Sequence, residues 1–133
     1  MKKIIFLSTI ALLCASMVFA AGITEKNLKA LKGTWEGIGT GPNTANVKIE
    51  IMNDTEPLQG KMTFSNIPQI ILQKTGLSDP TTGESNDGKI TTAGTIMFTG
   101  PNGFFEITSI KGKKLSGWGY FRGFKADITA IKK

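Results

Sequence analysis

The sequence predicts an all-β domain: a small antiparallel up-and-down meander that closes into a barrel, with one short helix at its N-terminal end. Three observations lead there. Apolar residues recur at every second position, as in Val47, Ile49 and Ile51 against Lys48 and Glu50, the signature of strands with one face on a core. All 16 Gly and 5 Pro follow residue 20 and cut the chain into short runs rich in Ile, Phe, Thr and Val, as strands and tight turns require. A meander of this kind either folds into a sandwich or closes into a barrel, and closure removes the exposed strand edges that invite aggregation.

The elements follow in order. Residues 1–20, MKKIIFLSTIALLCASMVFA, have the form of a secretory signal peptide. Lys2 and Lys3 precede an apolar core from Ile4 to Cys14, and small residues lead to a cleavage position after Ala20. The core is too short for a stable anchor, and no stop-transfer charge cluster follows it. Lipid attachment at Cys14 needs a small residue before it, and Leu13 is not small. The expectation is an exported protein, periplasmic or extracellular, whose single domain spans residues 21–133 without a membrane anchor.

Thr24 is placed to cap a helix running to Leu31, with Ile23 stapled onto Leu28 and Gly33 just past its end. Strands are expected near 34–40, 45–52, 57–65, 68–73, 89–92, 94–99 and 103–110. Residues 114–131 form a hairpin turning at Arg122-Gly123, which makes about eight or nine strands in all. Leu58, Gly60, Met62 and Phe64 share one face, as do Ala126, Ile128 and Ala130. An L-x-G opening recurs at Leu31, Leu58 and Leu115, a large anchor before a glycine where the backbone bends or packs closely. Residues 73–88, QKTGLSDPTTGESNDG, have the least strand character and read as a long loop.

The composition excludes much chemistry. There is no His, and the one Cys, Cys14, lies in the leader. A Ser-His-Asp or Cys-His arrangement, an imidazole proton shuttle and a thiolate metal site are therefore ruled out for residues 21–133. Removing residues 1–20 leaves 113 of the 133 and lowers the net charge from +6 to +4, because Lys2 and Lys3 go with them. Asp79, Glu84, Asn86 and Asp87 offer oxygen ligands but match no calcium-loop spacing. No metal and no cofactor are expected. Lys111, Lys113 and Lys114, with Lys132 and Lys133, form two small clusters read as solubilising charge. Nucleic acid is not an expected partner of an exported protein, whose anionic partners would instead be phospholipid heads, lipopolysaccharide or acidic wall polymers. The acids open to a glycosidase-style pair, among them Glu36, Glu50, Glu106 and Asp127, fall mostly on outward strand positions or in turns.

The segment Leu31-Lys32-Gly33-Thr34-Trp35-Glu36-Gly37 places G-x-W at the opening of the first strand, just after a short helix. It resembles the start of lipocalin and avidin-type barrels, the calycin group, and of small exported bacterial barrel modules that open L-x-G-x-W-x-G. The resemblance implies a barrel closed by Gly33 and Trp35 at one end, with Arg122, the only arginine, as a late partner of the Trp ring. It also implies a non-enzymatic binding protein for a small apolar ligand. Trp35, Met62, Phe64, Phe98 and Phe105 are the interior candidates for contacting that ligand. Gly37, Gly39, Gly117 and Gly119 either leave room inside or permit curvature. Trp118 and Tyr120 share the face opposite Gly117 and Gly119. They are candidate ligand contacts too, as a buried face or as an outward platform for a sugar or an envelope protein. The alternative function is accordingly an interaction or inhibitor module of the cell envelope, and the third is glycan hydrolysis.

Overall fold

The computed structural model describes residues 22–133, so the expected leader lies outside the described residues. A short 3-10 turn (Glu25–Asn27) runs into α1 (Leu28–Leu31) and then β1 (Gly33–Thr40), β2 (Thr44–Ile51) and β3 (Leu58–Ser65). After α2 (Gln69–Thr75) come β4 (Thr81–Ile90), β5 (Ile96–Gly100), β6 (Gly103–Lys111), β7 (Lys114–Phe121) and β8 (Phe124–Lys132). Each strand pairs antiparallel with the next and β8 returns to β1, so the sheet is a closed eight-stranded up-and-down barrel.

Strand direction gives the barrel two unlike ends. Odd strands start beside α1, which lies across the floor. Even strands start at the mouth, where the β1–β2, β5–β6 and β7–β8 turns and α2 gather. The period-two pattern sets the inner wall: Val47, Ile49 and Ile51 of β2 are buried and pair with Phe64, Met62 and Gly60 of β3. Ile96, Ile107, Leu115, Ile128 and Ala130 complete the core on the far side.

The floor is built as the sequence leads one to expect. The Thr24 amide donates to Asn27 Oδ1 at 2.8 Å, and Ile23, Leu28 and Leu31 are buried. The Ile23 amide donates to the Gly94 carbonyl at 2.6 Å, tying the chain to the β4–β5 turn. Trp35 is fully buried, and its Nε1–H donates to the Leu31 carbonyl at 2.7 Å. That bond satisfies the one polar group of a large ring and fixes α1 to β1.

Two expected elements differ. The strand expected at 68–73 is α2. Pro68 and Gly76 bracket it, Gly76 at φ 71° closes its C-terminus, and the Gly76 amide donates to the Leu72 carbonyl at 3.0 Å. The loop expected at 73–88 ends early, because residues 81–88 belong to β4, which absorbs the strand expected at 89–92. The strand total is therefore eight. Polar and glycine-rich β4 holds its place through six register pairs with β3 and a Thr63–Thr82 hydroxyl contact at 3.1 Å. Tertiary pairing outweighs its low strand propensity.

The wall is uneven at one position. β4 pairs with β5 only at Lys89↔Met97 and Ile90↔Ile96. Above these, Asp87 spans the gap: its Oδ1 accepts from the Thr99 amide at 2.9 Å, and its carboxylate also accepts from the Thr99 and Ser85 hydroxyls. The Ser85 hydroxyl, with the Thr99 hydroxyl and amide, holds the Asp87 carboxyl below its ordinary value of 3.8.

Candidate ligand cavity

Above the floor the barrel is hollow. A cavity of about 570 Å³ reaches from Ile49, Ile51 and Phe98 up to the mouth turns and α2. Its volume falls in the range of ligand sites, roughly 300–1,000 Å³. The lining is mostly apolar. Met62 and Phe64 come from β3, and Phe98 and Phe105 from β5 and β6. Phe121 and Phe124 flank the β7–β8 turn, and Ile67, Ile71 and Leu77 come from α2 and its flanks. Polar groups cluster nearer the mouth and along β4, among them Asn43, Asn102, Thr75 and Ser85.

Small residues decide where the rings and the space go. A Cβ on Gly88 would lie 2.3 Å from the Phe98 ring, and one on Gly60 would lie 2.9 Å from it. These glycines let Phe98 lie flat against β3 and β4, stacked on Phe105 with centroids 6.2 Å apart. Near the mouth Phe64 meets Phe121 edge to face at 5.1 Å, and Gly39 leaves room for the Phe64 ring. Gly83 does something different. It pairs with inward-facing Met62, a Cβ built on it would meet nothing within 4 Å, and it is exposed. Open space begins there.

α2 lies over the mouth and is fastened at both ends. The Asp79 carboxylate accepts from the amides of Asn66 and Ile67 at 3.1 and 3.0 Å, ahead of the helix. At the other end Arg122 Nη1 donates to the Thr75 carbonyl at 2.9 Å, and its Nε donates to Asn102 Oδ1 at 3.2 Å. Arg122 does this from a turn at φ 45°, a backbone region few non-glycine residues adopt.

The expected site residues thus separate into three places. Met62, Phe64, Phe98 and Phe105 do come together in the cavity. Trp35 lies below it in the packed floor, and its cationic partner is Lys132 rather than Arg122. Lys132 Nζ stands 5.8 Å from the Trp35 ring centroid and donates to the Ala30 carbonyl at 2.7 Å. The pairing of Trp35 with Arg122 is corrected for a geometric reason: β1 starts at the floor, whereas β7 ends at the mouth, so the two residues occupy opposite ends. Gly33 stands beside Lys132, and a Cβ there would be 3.1 Å from Lys132 Cε.

Trp118 and Tyr120 are on the outer wall, with Gly117 and Gly119 turned inward. Trp118 is occupied by its neighbours. Its Nε1–H donates to Glu106 Oε1 at 2.7 Å, Phe104 meets it edge-on at 4.9 Å, and Lys125 Nζ lies 4.9 Å from its centroid. Tyr120 is 43% exposed. Of the four glycines expected to shape the interior, Gly39 borders the cavity. Gly37 and Gly117 instead allow close backbone approach, to the carbonyls of Thr129 and Glu106. The carboxylates of the 73–88 segment are dispersed: Asp79 holds α2, and Asp87 holds Thr99. Among the described residues no group of three His, Cys, Asp or Glu side chains is placed to hold a metal ion.

The sequence misses α2, Gly83 and the two ring residues of the last hairpin. The signal for α2 is present in Pro68 and Gly76, and in Ile67, Ile71 and Thr75 at four-residue spacing. Fold and site together define a closed antiparallel barrel of calycin-like shape with an apolar interior cavity. Comparison with family models, curated proteins and solved structures returned no match to this chain.

Proposed function

We propose that this chain is an exported, non-enzymatic binding protein that carries a small apolar ligand in its barrel. The observation that carries the reading is the cavity of about 570 Å³, walled by Phe, Ile and Met side chains and reached beside Gly83. A core built only for stability packs to near-crystalline density and leaves no such space. Kinship with lipocalin and avidin-type barrels is part of the proposal, supported by the L-x-G-x-W-x-G opening and the buried Trp35. Export rests on the signal-peptide form of residues 1–20, and a binding rather than catalytic role on the absence of His and of any Cys after residue 14.

A neutral fluorescent probe, N-phenyl-1-naphthylamine, tests the reading. It is expected to brighten on binding and to be displaced by neutral long-chain alcohols. Absence of both effects overturns the cavity as a binding site. A second reading, an envelope-interaction module, draws on exposed Tyr120 beside Phe104, whose rings lie 6.1 Å apart at 17°. Under that reading Tyr120→Ser abolishes partner capture from an envelope extract and leaves probe binding intact.

A further inference from the structure

The barrel is electrically polarised along its axis. Lys111, Lys113 and Lys114 occupy the β6–β7 turn, at the floor end. Lys26, Lys29 and Lys32 lie along the helical segment that crosses that same end, and Lys132 and Lys133 finish β8 beside it. Their convergence is made by the fold: the Lys132 amide donates to the Lys113 carbonyl at 2.8 Å, and the Lys133 amide to the Thr34 carbonyl at 2.9 Å. Lys89 at the end of β4 makes nine, and against these lysines stand Glu25, Glu36, Glu50, Asp54 and Glu56, a net of +4 that equals the whole net charge of residues 21–133. The rest of the barrel is neutral.

Four further observations give this pole a direction. Lys111 and Lys114 are directly opposed across the β6–β7 ladder, an arrangement of like charges that destabilises a hairpin. Only one of the nine, Lys133, makes an ion pair among the described residues, with Glu36 at 3.3 Å. Ile131 lies in the same outward row, opposite Lys114, and is 51% exposed. On the far side of the floor, Met52 is 48% exposed. On its other side Ile131 faces Glu36, which Lys133 neutralises, while Lys132 is turned onto the Ala30 carbonyl and the Trp35 ring. A cationic pole with an exposed branched aliphatic side chain at its edge suits a surface that is anionic at its face and apolar just beneath. Soluble polyanions and nucleic acids offer the charge and no layer to receive Ile131.

We infer that the floor of the barrel is a docking face for an anionic phospholipid bilayer, with the lysines on the headgroups and Ile131 at the acyl boundary. Docked this way, the cavity mouth faces the aqueous side. The inference is independent of what the cavity binds.

Vesicle co-sedimentation of residues 21–133 tests it, since the described residues by themselves form the closed eight-stranded barrel and a buried core. Vesicles of phosphatidylcholine with phosphatidylglycerol are expected to bind the protein, increasingly weakly as salt rises. Pure phosphatidylcholine vesicles are expected not to bind it. Each lysine near an anionic membrane contributes about fivefold in affinity, so replacing Lys111, Lys113 and Lys114 together by Gln should weaken binding by about a hundredfold. The matched variant with Lys48, Lys61 and Lys74, all away from the floor, replaced by Gln should weaken it far less. Ile131→Ser should weaken vesicle binding several-fold while leaving heparin binding unchanged. Circular dichroism keeps folding separate from docking. The inference is overturned by binding that ignores phosphatidylglycerol, by equal losses in the two triple variants, or by an Ile131→Ser protein that binds vesicles as the parent does.

Discussion

Gly83→Leu should make the protein more stable and a worse binder at once. The strand position is extended, and a side chain built there meets nothing within 4 Å. A leucine therefore enters the cavity without strain. Full burial of Leu is worth roughly 1.5–3 kcal/mol, and about half of that is available at a position facing an open cavity. Replacing a strand glycine adds about 0.5–1 kcal/mol from the unfolded chain. The expected gain is about 2 kcal/mol, or roughly 8 °C in Tm for a domain of this size. The same four carbons exclude a comparable length of ligand, and at about 0.8 kcal/mol per methylene the loss is about 3 kcal/mol. That corresponds to about a hundredfold in Kd. Thermal melting followed by circular dichroism and titration of the naphthylamine probe measure both quantities on one sample. A lower Tm with unchanged probe affinity would refute the placement of Gly83 and the cavity together.

Trp35→Phe removes the bond to the Leu31 carbonyl and part of a fully buried ring. It should cost about 2 kcal/mol, seen as a lower Tm, while probe affinity stays within twofold because Trp35 lies below the cavity. Arg122→Ala releases one end of α2. Trypsin should then cut after Lys74 faster, and probe dissociation in stopped flow should speed several-fold, with little change in Tm. Asp87 has a folded carboxyl pKa below 3.8, so its stabilising contribution is complete above the unfolded value and is lost as pH falls through the folded one. Acid unfolding midpoints should therefore rise in Asp87→Asn, and the variant should show a shallower loss of stability below about pH 4.

Much of the barrel could be read from residue order. Val47, Ile49 and Ile51 alternate cleanly because β2 has one wet face and one dry one, and the Arg122-Gly123 turn falls where expected. The failures have physical reasons. The Ile70-Ile71-Leu72 run carries β-branched residues typical of strands, and the Pro and Gly that bracket it carry the helical information instead. β4 looks like a turn because Thr, Gly, Ser, Asn and Asp dominate it. Those small residues are what a wall needs where Phe98 lies across it and a cavity opens beside it. Met62, Phe64, Phe98 and Phe105 were identifiable as interior residues, but whether they enclosed space or filled it depended on Gly83, whose significance appears only in three dimensions. The pairing of Trp35 with Lys132 was hidden by strand direction, which composition does not record.

The short β4–β5 ladder has a mechanical consequence. Six register pairs join β1 to β8, so the hoop is fastened firmly where the chain closes on itself. It is held by two pairs and one carboxylate clasp at a seam in its middle. Hydrogen exchange should be fastest at amides along residues 81–87, and unzipping should begin there rather than where β8 closes onto β1. A permuted form of residues 22–133 that links Gly22 to Lys133 and is reopened in the 91–95 turn would place its new break at the ladder with the fewest register pairs.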